Sequence, residues 1–155
     1  MKRQLYLFGL SLLWLASPFT LSAQDVAKEV WVENGGEVVI MDKDLFLEKV
    51  FDYTRADSWH FLGDKPVIID LYADWCGPCR KTAPIMERLA KEYAGDLIIY
   101  KVNVDKEQEL AAFFNATSIP LFVFIPKEGQ PQLFRGAADH ATYKKVIEDF
   151  LLKKE

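Results

Sequence analysis

The stretch Val67-Ile68-Ile69-Asp70-Leu71-Tyr72-Ala73 is nearly all apolar and rich in β-branched side chains. A strand with one wet face alternates polar and apolar residues, whereas an unbroken run belongs to a strand covered on both faces. Leu97 to Val104 and Leu121 to Ile125 have the same character, so the chain is built around a sheet sandwiched between helices. The helices fall between the runs. Met86, Leu89, Ala90 and Tyr93 repeat at i, i+3, i+4 and i+7 in a segment that Cys76-Gly77-Pro78-Cys79 opens and Gly95 ends. Glu107 to Phe114 makes a short helix. Pro126-Lys127-Glu128-Gly129 turns the chain from Leu121–Ile125 into a partner strand, Gln132 to Arg135. Asp139 then starts a closing helix whose Tyr143, Val146, Ile147, Phe150 and Leu151 share one apolar face. Upstream, Val38-Val39-Ile40 reads as a strand, and Asp42 caps a helix through about Phe51. Asp52 to Lys65 lacks a period and reads as a loop with a helical turn, because Pro66 forbids helix just before it. The order β-α-β-α-β-α-β-β-α predicts a three-layer α/β/α domain.

With 155 residues, half apolar and 27% charged, the chain has room for one globular domain. Its first residues, Met1-Lys2-Arg3-Gln4, precede an apolar run from Leu5 to Leu21 and then Ser22-Ala23-Gln24. That is the pattern of a cleavable signal peptide over residues 1–23, leaving one domain over 24–155 with a polar extension at 24–36. Within the extension, Val30-Trp31-Val32 reads as a short strand. The alternative is an uncleaved membrane anchor, but the run is about 17 residues, at the lower edge of a bilayer span, and Pro18 breaks it. Beyond Ala23 the chain carries a net charge of −6, which excludes a nucleic-acid-binding surface.

Only two cysteines are present, Cys76 and Cys79, too few for a four-cysteine metal site, and His60 and His140 lack ligand spacing. As a staple the pair is weak: closing four residues contributes about 2 kcal/mol, against about 3 for a fifteen-residue loop. Its placement favours reactivity. Cys76 stands where a buried strand gives way to a helix, so unpaired N–H groups and the positive end of the helix dipole favour a thiolate. Such settings bring a thiol from about 8.5 to about 3.5–7.5. Pro78, in the first helical turn, loses no needed hydrogen bond. Asp70 interrupts an otherwise apolar strand, where a charged carboxylate costs several kcal/mol, so it stays protonated or finds a partner. Lys101 breaks the neighbouring strand in the same way and is the natural partner. A purely structural pair, or one member reaching solvent, remains open. Pro120 precedes a strand whose ladder it cannot join. Asn115-Ala116-Thr117 matches a glycosylation pattern by chance.

Trp75-Cys76-Gly77-Pro78-Cys79, with Asp70 before it, Pro84 after it, and Ile119-Pro120, Gly129 and Gly136 further on, resembles the active-site framework of thioredoxins over roughly residues 36–154. With the N-terminal pattern, the resemblance is to a periplasmic member. It implies a central five-stranded mixed sheet with four flanking helices and a redox disulfide between Cys76 and Cys79. It also implies a cis Ile119–Pro120 bond facing that disulfide. Asp70, with Lys101 beside it, becomes the base toward the Cys79 sulfur. Trp75, Gly77, Pro78, Ile119, Pro120 and Gly136 become a shallow patch for protein disulfide substrates. The implied activity is a monomeric disulfide reductase without metal or organic cofactor, recharged by a membrane thiol electron carrier. A disulfide oxidase or isomerase, a cytochrome c maturation reductase, and an assembly module with incidental redox activity are the alternatives. Two departures concern partner choice: the long Asp52–Lys65 insertion, and Tyr72 where many thioredoxins have tryptophan.

Overall fold

The computed structural model describes residues 36–153; the signal-peptide pattern and the Val30–Val32 segment lie outside them. Five strands form one sheet: β1 (Val38–Ile40), β2 (Val67–Tyr72), β3 (Ile98–Asn103), β4 (Leu121–Ile125) and β5 (Gln132–Arg135). Their order is β1-β3-β2-β4-β5. β3 runs parallel to both β1 and β2, while β4 is antiparallel to β2 and β5, so the sheet is mixed as the resemblance implies. The continuous apolar runs take the three interior places. All five residues of β4, and all of β2 but Tyr72, are buried.

Because side chains alternate along a strand, each buried run feeds two cores. On one face Ile68, Ile99, Phe122 and Phe124 meet Met86, Leu89 and Tyr93 of the long helix α2 (Gly77–Glu92) and its cap, and Tyr143, Ile147 and Leu151 near the C-terminus. On the other, Ile69, Leu71, Val102 and Val123 meet Phe46 of α1 (Lys43–Lys49) and Leu110 of α3 (Gln108–Phe113). The insertion between Asp52 and Lys65 contains turns but no helix. Phe51 and Phe61 are buried in the second core, Trp59 packs 4.9 Å from the Phe51 ring, and the Tyr53 hydroxyl donates to Glu109 at 2.8 Å. The insertion is thus a lid on that core.

Element ends follow local bonding. Asp42 caps α1 by accepting from the Leu45 N–H at 2.8 Å, but the helix stops at Lys49, short of the expected Phe51. Val50 and Phe51 both turn their N–H groups onto the Phe46 carbonyl. α4 (His140–Val146) begins after the Asp139 cap and passes into a π-helical turn over Ile147–Leu151. Buried Tyr143, Ile147 and Leu151 are spaced by four, a stripe that drifts around a helix of 3.6 residues per turn. The wider i→i+5 turn offsets that drift and returns Leu151 to the core. Periodicity alone does not reveal this change.

Candidate active site

β2, the central strand, delivers the chain to one end of the sheet at Ala73, and α2 starts four residues later. Cys76 is the N-cap, in extended conformation, and its Sγ accepts from the Cys79 N–H at 3.2 Å. Cys76 and Cys79 are joined by a disulfide with Cα atoms 5.3 Å apart. The cap position therefore points one of the helix's unpaired donors at the Cys76 sulfur, where it favours the thiolate once the bond is reduced. Each cysteine is only 3% exposed. Ala73 sits with them, and Tyr72, Val104 and Ile119 pack around the trio. The buried Thr82 hydroxyl donates to the Cys79 carbonyl at 3.0 Å, holding the second cysteine on the first turn.

Two further loops join this end of the sheet. The Ile119–Pro120 bond is cis, and the Gly136 N–H donates to the Pro120 carbonyl at 2.9 Å. Gly136 has φ 90°, a left-handed conformation that other residues adopt only with strain. The expected patch is unevenly displayed. Trp75 is 68% exposed, Pro78 is exposed, Gly77, Ile119 and Gly136 are half-buried, and Pro120 is buried. Among the described residues no hydrogen bond engages the Ile119 backbone. Trp75 is fixed through its indole N–H, which donates to Asp105 Oδ2 at 2.9 Å. The Asp105 N–H in turn donates to Asn103 Oδ1 at 2.9 Å, and the Asn103 amide reaches Asp74 Oδ2 at 3.4 Å. Sequence reasoning missed this network. Its one available signal was Asn103, a polar residue ending an apolar strand.

Asp70 is 5% exposed and its Oδ1 has no hydrogen-bond partner. Burial pushes its pKa from 3.8 up to about 7, against a smaller downward pull from Lys101. Lys101 does stand beside it, Cα to Cα, in the parallel register. The expected pairing nevertheless needs correction: no ion pair within 4 Å joins them among the described residues, and the ammonium lies 5.7 Å from the centre of the Tyr72 ring. A long lysine stem lets its charge snorkel to water, so Lys101 acts on Asp70 through its field alone. His60 is exposed, while His140 faces Glu92 at 3.0 Å rather than standing free.

The thioredoxin family model matches residues 47–149. The thioredoxin of Borreliella burgdorferi is 43% identical over 105 residues, covering 68% of this chain and 90% of that protein. A chloroplastic M-type thioredoxin of Pisum sativum is 38% identical over 97 residues, 61% of this chain and 56% of that protein, so the chain spans about half of its length. A solved mutant thioredoxin from Halobacterium salinarum superposes with a TM-score of 0.62 at 28% identity, over 79% of this chain and 97% of that one. The chain belongs to the thioredoxin family. Its activity class is that of a thioredoxin-type disulfide oxidoreductase.

Proposed function

We propose that this oxidoreductase works outside the cytoplasm, in the periplasm, mainly as a protein-disulfide reductase. The observation that carries the chemistry is the Cys76–Cys79 disulfide at the start of α2, with the Cys79 N–H directed at the Cys76 sulfur. In the reduced protein the Cys76 thiolate attacks one sulfur of a substrate disulfide. The substrate S–S bond breaks, a mixed disulfide forms, and the first substrate thiolate leaves. Asp70 takes the proton of Cys79, whose thiolate then attacks the Cys76 sulfur, and the second substrate thiolate leaves. Two electrons have passed to the substrate, and the Cys76–Cys79 bond has reformed. A pKa of about 7 suits Asp70 to this task, since it can both hold and release a proton near neutrality. Lys101 favours the ionised form. Trp75, Gly77, Pro78, Ile119, Pro120 and Gly136 form the docking surface, on which the free Ile119 backbone pairs with an extended substrate segment.

Each cycle consumes a dithiol, and an oxidising compartment supplies none, so a membrane thiol carrier is the proposed reductant. The export reading is supported by Lys2-Arg3, the apolar run to Leu21 and Ser22-Ala23. It predicts a periplasmic protein beginning at Gln24; recovery of an intact Met1 N-terminus from cytosol contradicts it. The protein acts as a monomer. For the catalytic reading, the protein should reduce insulin disulfides with dithiothreitol as electron source, and Cys76→Ser should abolish this. Retention of wild-type activity by Cys76→Ser would remove Cys76 as nucleophile.

A further inference from the structure

Tyr143 lies on α4 and is wholly buried, its ring 4.8 Å from that of Phe122 and 5.6 Å from that of Phe134. An apolar side chain would fill the same space without bringing a hydroxyl that must find partners in the core. Those partners lie in the turn between β5 and α4. The Ala138 N–H donates to Tyr143 Oη at 3.0 Å, and the hydroxyl reaches the Gly136 carbonyl at 3.5 Å. Gly136 is the residue whose own N–H holds the Pro120 carbonyl at 2.9 Å. A single line of bonds thus runs from the core beneath the sheet, through the Gly136–Ala138 turn, to the Ile119–Pro120 loop beside the sulfurs. Burial pushes the phenol up to about 12, the Ala138 N–H pulls the other way, and the nearby Asp70 charge adds to the rise. The hydroxyl therefore keeps its proton, and both of its roles, throughout the neutral range.

Resting on the reductase reading above, we propose that Tyr143 is a positioning residue for substrate docking. Its buried hydroxyl holds the Gly136–Ala138 turn against the Ile119–Pro120 loop, so an extended polypeptide carrying the target disulfide meets a preformed wall. A small-molecule disulfide makes no use of that wall. Preorganisation of this kind lowers the ordering cost of binding and leaves the sulfur chemistry unaltered.

The test is Tyr143→Phe, which keeps the ring and its contacts with Phe122 and Phe134 and removes only the oxygen. Single turnovers of protein pre-reduced with dithiothreitol and then freed of it are followed over a range of concentrations of insulin and of 5,5′-dithiobis(2-nitrobenzoic acid), the wild-type protein alongside. Half-saturation gives KM and the limiting rate gives kcat. The expected result is a KM for insulin raised about three- to tenfold, the weight of one neutral hydrogen bond. kcat for insulin and both parameters for the small disulfide should stay at wild-type values. An unchanged insulin KM overturns the proposal while leaving the reductase reading intact. Equal losses on both substrates also overturn it, since they place the hydroxyl's effect on Asp70 and the sulfurs. A wild-type protein that reduces neither substrate removes the reductase reading, and the docking role with it. Should Tyr143→Phe not fold, hydrogen exchange on the wild-type protein decides: the Ala138 amide is expected to be protected at least tenfold beyond the exposed Ala137 amide, and equal exchange at the two overturns the proposal.

Discussion

Asp70 couples stability to pH because its carboxyl is buried with Oδ1 unpartnered among the described residues. Its pKa is about 7 in the folded protein and near 3.8 when unfolded. Between those values the folded state binds more protons than the unfolded one, so stability falls as pH rises through this window. The group opposes folding fully only above about pH 7, and below pH 4 it has no effect. Asp70→Asn removes the ionisation cost, and urea melts at pH 8 should find it more stable by about 2–4 kcal/mol, the order expected when folding raises a carboxyl from 3.8 to about 7. At pH 4 the difference should vanish. A variant less stable at pH 8 would contradict the burial account. In the proposed cycle the same substitution slows insulin reduction and flattens the rise in rate with pH near 7. Asp70 was legible in the sequence because a lone carboxylate in an apolar run has few places to go. How Lys101 answers it was not, since register aligns Cα atoms but a flexible stem decides where the ammonium rests. Tyr143 was legible only as part of an apolar stripe, because periodicity registers the ring and is blind to the hydroxyl. The Asp105 contact to Trp75 joins residues thirty apart in the chain, beyond the reach of any local pattern.

The Asp52–Lys65 insertion behaves as a lid whose fit depends on one close approach. A Cβ at Gly63 would stand 2.5 Å from the tip of the Phe61 ring, which is itself buried in the core under α1 and α3. Gly63→Ala should therefore push Phe61 out of place and destabilise the protein by about 1–3 kcal/mol, the range for overpacking. Insulin reduction at low temperature should be unaffected, because the sulfurs lie with Ala73 and Ile119 in a separate cluster. Thermal melts matching wild type would show that the insertion does not seal this core. Most elements were readable to within two residues, since each buried strand announces itself by an apolar run and three of the four helices by a capping residue, α3 having no side-chain cap. Asp42, Cys76 and Asp139 all cap the helices expected of them. The insertion resisted because the residues it packs on the core, Tyr53, Trp59 and Phe61, follow no period. Tertiary contact alone selects which of its aromatics face inward.

At the scale of the molecule, the hydrophobic pattern states which strands are covered on both faces but not which strands they pair with. The order β1-β3-β2-β4-β5 depends on crossover and hairpin connections rather than on any residue's polarity. What that order achieves is convergence. It brings the start of α2, the cis Ile119–Pro120 bond and the Gly136 turn, which lie on separate connections of the chain, to one end of the sheet. The proposed chemistry rests on Cys76 attacking and Cys79 resolving. Its most direct test is to mix reduced Cys79→Ser protein with a disulfide-bonded polypeptide and map any covalent adduct by mass spectrometry. With the resolving sulfur gone, the exchange should stall as a mixed disulfide at Cys76 that accumulates over minutes, while reduced Cys76→Ser protein forms little or none. An adduct that forms as fast on Cys79 of the Cys76→Ser protein, or no adduct on Cys76, would remove Cys76 as the attacking sulfur.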